Sequence, residues 1–425
     1  MKPTVYNVGE GARLVAIRTD RFKSELLIVQ LAVPITKETA QHNALLFELL
    51  RRGTQRYPTK ALFHRHLDEL YATNITPFNR RAGDMQVLGI SADFLGERFV
   101  EGEGLLPRVV SLMAELLYHP YFPEGHFHTP YVESEKRNLV NAIRSAINNP
   151  RAYARDKCRA LLCEGEPYAL PLIGTEDSVD AITPETLTAA WQQILAEVKP
   201  TFFYVGNSDP VQVAALLTAS FDTARGSDPR YVCTSRMPER LARVDEQVPL
   251  CQGKLAMGYR SDVTLSHPLS AATVYVNEIF GGSAASKLFL NVRERRSLCY
   301  HCASSLDLFK GTIFVGSGIK VSNRIVTEEA IMAEFDAICR GEISETEFSA
   351  ARRAIDNGFR QMYDNPGALF GFYMGRTLTG DAETVESRRA SLANVTLDEV
   401  VEAANRVRLG AVFFLEGTQE GDEDE

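Results

Sequence analysis

Apolar and polar residues form two kinds of pattern along the chain. Stretches rich in Val, Ile and Leu predict strands, whereas apolar positions three and four residues apart predict helices. In the first half we predict strands at 13–18, 26–33 and 85–94, and helices at 39–51, 104–118, 133–147, 151–163 and 184–198. In the second half we predict strands at 254–259, 298–306 and 311–319, a helix at 269–280, and mainly helices from 324 onward. Strands grouped before helices indicate an α+β fold, an antiparallel sheet with helices packed on one face.

Three short segments recur in the second half at nearly constant spacing. The segment 182–185 matches 395–398 at an offset of 213 residues, and each copy has a Thr that can cap a helix. The other two matches are 147–150 with 363–366 and 202–206 with 413–417, at offsets of 216 and 211. This repetition predicts a duplicated domain rather than three unrelated ones.

The repeat also predicts the domain boundaries. We expect an N-terminal domain at 1–222, a linker at 223–250, a C-terminal domain at 251–419 and an acidic tail at 420–425. The linker is polar and contains Pro229, Pro238 and Pro249. Two duplicated domains joined in this way are expected to enclose a cavity between them.

Charge and cysteine content narrow the class of protein. The 425 residues carry 46 Lys and Arg against 55 Asp and Glu, a net charge of −9, which argues against binding to nucleic acid. Five of the acids lie in the last six residues. Seven cysteines fit a reduced compartment better than a disulfide framework. We find no signal peptide and no apolar stretch that could span a bilayer, and we predict a cytoplasmic protein.

Several motifs resemble the insulinase, or pitrilysin-like, metallopeptidases. In the first half they are the segments 49–54, 67–72 and 133–150, and in the second half 281–289 and 292–294. The resemblance covers nearly the whole chain and implies two homologous domains. Within that family, the chain closely resembles the zinc-less, inactive YmfF-like members.

The catalytic signature of that family, H-x-x-E-H with a Glu far downstream, is degenerate here. The two His positions fall on Ala44 and Glu48, the general base on Phe47, and the downstream ligand on Ala142. Zinc chemistry requires imidazole and carboxylate ligands with a base beside them. We therefore expect no metal, no cofactor and no catalytic residue in this chain, which is not an enzyme on its own.

A displaced site does not replace the lost one. No two of the eight histidines are four residues apart, the spacing that places two ligands on one helix face. Cys299 and Cys302 have the spacing of redox or zinc motifs, but a single pair inside a predicted strand is more often part of the packing. No serine nucleophile motif supports an independent hydrolase.

One functional pair of the family is retained. The resemblance implies that an Arg and a Tyr seven residues apart hold the substrate backbone, and Arg293 and Tyr300 keep that spacing. A guanidinium and a phenol can both donate hydrogen bonds to a peptide carbonyl. The alternative is a surface Arg293 paired with Glu294 and a Tyr300 packed in the sheet.

Two functions remain open from the sequence. In the first, the chain is the non-catalytic subunit of a heterodimeric zinc peptidase: a paralogous partner supplies zinc and base, and Arg293 and Tyr300 bind the peptide substrate. In the second, it is a structural or peptide-binding homodimer with no role in proteolysis. Neither involves nucleic acid or a membrane.

Overall fold

A computed structural model describes residues 2–101, 104–249 and 251–418. Its strands are β1 Thr4–Val8, β2 Ala12–Arg18, β3 Ser24–Pro34, β4 Asn74–Ala82, β5 Met85–Leu95, β6 Thr201–Gly206, β7 Ala242–Val248, β8 Gly253–Ser261, β9 Cys299–Asp307, β10 Thr312–Ile319 and β11 Val407–Gly417. Its α-helices are α1 Ala40–Leu50, α2 Lys60–Glu69, α3 Leu105–Tyr118, α4 Thr129–Arg144, α5 Pro150–Leu162, α6 Glu176–Asp180, α7 Pro184–Glu197, α8 Pro210–Ser220, α9 Ser270–Asn277, α10 Arg324–Cys339, α11 Glu345–Met362, α12 Pro366–Thr379, α13 Val385–Ala393 and α14 Leu397–Asn405. Two π-helical segments, Glu278–Gly282 and Leu288–Arg295, and short 3₁₀ turns at Glu97–Phe99, Ser145–Asn148, Pro167–Ala169 and Val321–Asn323 complete the set.

The strands form two sheets with the same connectivity. The first has the order β1-β2-β6-β3-β5-β4 and the second the order β7-β11-β8-β10-β9. In each sheet one pair is parallel, β2 with β6 and β11 with β7, and the pairs beyond it are antiparallel. Strand β1 is an addition to the first sheet. The predicted fold of two duplicated α+β domains is confirmed.

Helices cover both faces of the first sheet. On one face, apolar residues of β2, β3, β5 and β6 pack with α1, α3, α7 and α8 in one continuous core. On the other face lies α12, whose Phe370 is 5.1 Å from Phe203 and 5.6 Å from Phe78, measured between ring centroids. The sequence predicted helices on one face only, because nothing in its pattern indicates that a helix from the second half would pack here.

The second sheet is built in the same way. Its main core joins β8, β10 and β11 to α9, α10, α11 and α14. The opposite face packs on α5, a helix from the first half, through Cys158, Phe314 and Phe413. Behind α5, the buried Glu166 carboxylate accepts from Arg260 at 3.0 Å and Lys310 at 2.7 Å. This buried ion cluster fixes the segment after α5 to the sheet.

The repeated segments mark corresponding helix starts. Thr183 and Thr396 each cap a helix, α7 and α14, in a capping box. Asn149 and Asn365 each accept a backbone hydrogen bond as the N-cap of α5 and α12, and Pro follows at the first helical position of both. The Asn-Pro pairs therefore start the two helices that cover the second faces of the sheets.

The compact units are discontinuous in sequence. One comprises residues 1–144, 170–232 and 362–384, and the other comprises 145–169, 233–361 and 385–425. They differ from the predicted segments by the exchange of the regions that contain α5 and α12. Within the predicted linker, 242–248 forms β7, the counterpart of β2. The domain boundaries given in the sequence analysis stay a prediction. The acidic tail at 420–425 lies outside the described residues.

In the described part of the chain, every helix is too short or too polar to cross a membrane.

Candidate functional site

Helix α1 carries three of the four positions that the sequence analysis predicts for a degenerate zinc motif. Phe47, at the predicted position of the general base, is 2% exposed and packs edge-on against Trp191 with ring centroids 5.6 Å apart. Ala44 is half-buried, and Glu48 is exposed with its carboxylate 3.8 Å from the Arg51 guanidinium. The base position has thus become part of the hydrophobic core, and the neighbouring position points to solvent.

Buried amides hold α1 against the first sheet. The Asn43 side chain donates to the Gln86 carbonyl oxygen at 2.8 Å, and the Gln86 amide nitrogen donates to Asn79 at 3.0 Å. Asn43 and Gln86 are at most 2% exposed. Satisfied polar groups in a core favour one orientation of the helix, since any other would leave them unpaired. The sequence analysis missed this network, although an Asn in an apolar helix is a usable signal.

An ion pair joins the end of α1 to α4. Arg52, just beyond α1, donates through Nε to the Glu135 carboxylate and through Nη2 to Ser134 Oγ at 3.2 Å. Glu135 also accepts from the Asn138 amide at 2.9 Å and is 9% exposed. The sequence analysis did not identify this pair, because residues 83 positions apart give no local signal.

The fourth motif position lies on the same helix as Glu135. Ala142 is exposed and follows Glu135 by seven residues, nearly two helical turns, so both lie on one face of α4. Partial burial raises the pKa of Glu48; the charges of Arg51 and Arg52 oppose this rise, and that of Glu135 adds to it. The structure therefore brings Glu48 near Glu135 and near the guanidinium groups of Arg51 and Arg52.

The donor set at these positions does not fit zinc. Zinc sites of peptidases use three protein ligands of the His, Cys or carboxylate type. Of Ala44, Phe47, Glu48 and Ala142, only Glu48 has an atom that could coordinate the metal and Phe47 cannot act as a base. Elsewhere in the described ranges, no group of three or more His, Cys, Asp or Glu residues could hold a metal ion.

The remaining candidates from the sequence are parts of local packing. His42 has its Nδ1 3.1 Å from the Glu38 carbonyl oxygen, and burial lowers its pKa. Cys299 and Cys302 belong to the core of the second unit, 9% and 3% exposed. The hydrogen bond between the two thiols lowers the pKa of Cys299 to about 7, and the same bond together with burial raises the pKa of Cys302.

Arg293 and Tyr300 lie on either side of a turn that leads into β9. Arg293 lies in the last turn of the π-helical segment 288–295. Its guanidinium lies 4.5 Å from the centre of the Phe289 ring and 3.6 Å from the Glu294 carboxylate. Tyr300 is the second residue of β9 and is 61% exposed. The Glu294 contact matches the alternative stated from the sequence, whereas the exposure of Tyr300 excludes a tyrosine packed in the sheet.

Comparison with known proteins identifies the family. The chain is 30% identical to a protein of Bacillus subtilis described as a probable inactive metalloprotease, YmfF, over 408 residues that cover 95% of both chains. The chain belongs to the M16 peptidase family. Residues 181–355 match the model of the peptidase M16 inactive domain. The resemblance to zinc-less members of this family is therefore confirmed.

Solved structures agree with the M16 fold. A conserved protein from Enterococcus faecalis superposes with a TM-score of 0.91 at 26% identity, covering 99% of this chain and all of that one. A peptidase M16 inactive domain from Pseudomonas fluorescens superposes with a TM-score of 0.81 at 16% identity, again over 99% of this chain and all of that one. The likeness to the second protein concerns the fold alone.

Proposed function

We propose that this M16 chain is the non-catalytic subunit of a heterodimeric zinc peptidase. A paralogous partner with an intact H-x-x-E-H motif supplies the metal and the base, and this chain binds the peptide substrate through Arg293 and Tyr300. The observation that carries the proposal is the contrast between a base position filled by the buried Phe47 and a tyrosine that remains 61% exposed.

The proposed contribution of this chain is binding and orientation. The Arg293 guanidinium and the Tyr300 phenol can each donate a hydrogen bond to a carbonyl oxygen of an extended peptide. Donors fixed near the scissile bond stabilise the negative charge that develops on that oxygen during hydrolysis. A cytoplasmic location, expected from the seven cysteines of the sequence, forms part of the same proposal.

Glu294 supports a second candidate. Its carboxylate 3.6 Å from Arg293 can neutralise the guanidinium, as expected of a structural or peptide-binding homodimer in which the pair has no catalytic role. Substituting Glu294 by Gln separates the candidates. In a subunit of a peptidase this substitution should increase turnover, because Arg293 becomes more available to the substrate, whereas turnover that does not change would favour the second candidate.

The direct test is affinity purification of the tagged chain from the cells that produce it. We expect a paralogue with the H-x-x-E-H motif in equal amount, zinc in the complex and peptidase activity that neither chain shows alone. Recovery of a homodimer without such a partner, at several protein concentrations, would support the second candidate instead.

A further inference from the structure

On the face of β10 that carries Gly316 and Gly318, the second sheet has an open floor at Gly316, whereas Gly318 is buried. A side chain added at Gly316 would meet no atom within 4 Å. One added at Gly318 would meet only Lys254 Nζ at 3.5 Å and Gln252 Oε1 at 3.9 Å. The cross-strand neighbours of Gly316 are Ala256 and Ala303, both small, and Phe413 of β11 follows beyond Ala256 in the same row.

Basic side chains border this floor. Lys254 on β8 and His301 on β9 are the two cross-strand neighbours of Gly318 and therefore lie on its face of the sheet. Arg151 lies in the first turn of α5, the helix that packs on this face. Lys254 Nζ donates to the uncharged Gln252 Oε1 at 3.0 Å. We call Gly316, Gly318, Lys254, His301 and Arg151 the basic cradle.

The cations of the basic cradle affect one another. Partial burial lowers the pKa of His301, and the positive charges of Arg151, Arg293 and Lys254 lower it further. Burial and the charge of Arg151 also lower the pKa of Lys254. Like charges held close together destabilise each other, and a bound anion would relieve this repulsion.

The nearby acidic side chains have other partners. Glu246 on β7 accepts from Tyr153 and lies 3.3 Å from Lys157. Asp307, at the far end of β9, accepts from Tyr168 at 2.6 Å. Glu294 contacts Arg293. The basic cradle therefore combines an open floor at Gly316 with cations whose electrostatic neighbours are other cations.

We propose that the basic cradle binds a carboxylate of a peptide. Lys254 and Arg151 supply charged donors, and the absence of a side chain at Gly316 lets a peptide approach the sheet closely at that position. Tyr300 precedes His301, so the cradle adjoins the pair proposed to hold the substrate backbone. This inference rests on the proposed function for its biological meaning, and it assigns acidic peptides as the preferred substrate class.

Binding can be measured on the isolated full-length chain by fluorescence anisotropy. The probe is a fluorescein-labelled Gly-Ser peptide of ten residues that ends in three Glu, compared with the same peptide ending in three Gln and with C-terminally amidated forms of both. We expect the Glu peptide to bind about tenfold or more tightly than the Gln peptide, and its affinity to fall as salt rises. If amidation weakens binding of the Gln peptide, the basic cradle binds the C-terminal carboxylate. If the amidated Glu peptide still binds, the basic cradle binds acidic side chains.

Variants locate the site. Lys254→Gln and Arg151→Gln are each expected to weaken the Glu peptide several-fold, whereas Arg408→Gln, an exposed arginine of β11 in the same sheet, leaves its affinity unchanged. Gly316→Val fills open space, so the variant should keep the wild-type circular dichroism spectrum and melting temperature yet lose binding. Equal affinity for Glu and Gln peptides that amidation does not change, or full binding by a folded Gly316→Val chain, would overturn the inference.

The result is independent of the peptidase assay. If Arg293→Ala reduces turnover of the heterodimer while Lys254→Gln leaves acidic-peptide binding intact, the inference fails and the proposed function stands. If acidic peptides bind in the basic cradle but no active heterodimer exists, the inference stands and the proposed function fails.

Discussion

Two surfaces of this chain differ in how closely their residues match what a zinc peptidase requires. The α1–α4 surface, which carries Ala44, Glu48, Arg52, Glu135 and Ala142, has an ion pair and alanines where metal ligands would be needed. The β9 surface, which carries Arg293 and Tyr300, has an exposed phenol and a guanidinium that lies over the Phe289 ring. Under our proposal the first surface contributes to stability and the second binds a ligand, so substitutions in them should affect different properties.

The largest effect is expected from restoring the general base. Phe47→Glu places a carboxylate in the core beside Trp191 and removes the ring packing, so we expect a loss of more than about 4 kcal/mol in the free energy of unfolding. The control Phe47→Leu should lose about 1–2 kcal/mol. Urea denaturation followed by tryptophan fluorescence measures both. A Phe47→Glu chain of wild-type stability would show that this position tolerates the charge that catalysis requires.

Breaking the ion pair between α1 and α4 should have an intermediate effect. Arg52→Met leaves the nearly buried Glu135 without its cation, and we expect a loss of about 1–2 kcal/mol, since the Arg52 side chain is still 24% exposed. Arg51→Met is the matched control: its pair with Glu48 is exposed and should contribute less than about 0.5 kcal/mol. Equal losses in the two variants would contradict the structural role of Glu135.

A small, pH-dependent effect is expected at Glu48. Because its pKa is raised in the folded chain, ionisation of Glu48 opposes folding, and stability falls as the pH rises through that raised pKa. Glu48→Gln should therefore raise the melting temperature slightly at pH 7, by the equivalent of less than about 0.5 kcal/mol, and leave it unchanged at pH values below the ordinary pKa of Glu. A lower melting temperature at pH 7 would show that the carboxylate is stabilising.

The smallest effect on stability is expected at the β9 surface. Arg293→Ala and Tyr300→Phe should change the free energy of unfolding by no more than about 0.5 kcal/mol, because Tyr300 is largely exposed and the ion pair of the half-buried Arg293 is with the exposed Glu294. Differential scanning fluorimetry measures this on the isolated chain. A loss of several kcal/mol in either variant would indicate a structural role and remove the contrast between the two surfaces.

Much of the fold follows from local sequence signals. The capping threonines Thr183 and Thr396 and the paired Asn149 and Asn365 revealed the duplication, because helix starts depend on neighbouring residues. The sequence analysis predicts a linker where strand β7 lies, because the residues of β7 are mostly polar and its partner strand β11 is far away in sequence. Helix α5 belongs to the second compact unit and α12 to the first. This exchange depends on tertiary packing, and the apolar pattern of a helix does not show which sheet the helix packs on.

The candidate site was only partly predictable. Comparison of a motif predicts that Ala44, Phe47, Glu48 and Ala142 occupy the zinc-site positions, and this assignment stays a prediction. The pair of Arg52 with Glu135 and the open floor at Gly316 depend on contacts between distant segments. A single residue in such a contact leaves no periodic pattern in the sequence. Only the structure therefore shows which charged side chain forms an ion pair and which glycine borders open space.

The most direct test of the central claim is the kcat/KM of the heterodimer reconstituted from this chain and its paralogous zinc-binding partner. With Arg293→Ala in this chain, we predict a fall of about tenfold or more, because a hydrogen bond from a charged donor contributes about 1.5–3 kcal/mol. Zinc content and complex formation should stay unchanged. Unchanged kcat/KM in an intact Arg293→Ala complex would contradict a role for this chain in binding the substrate.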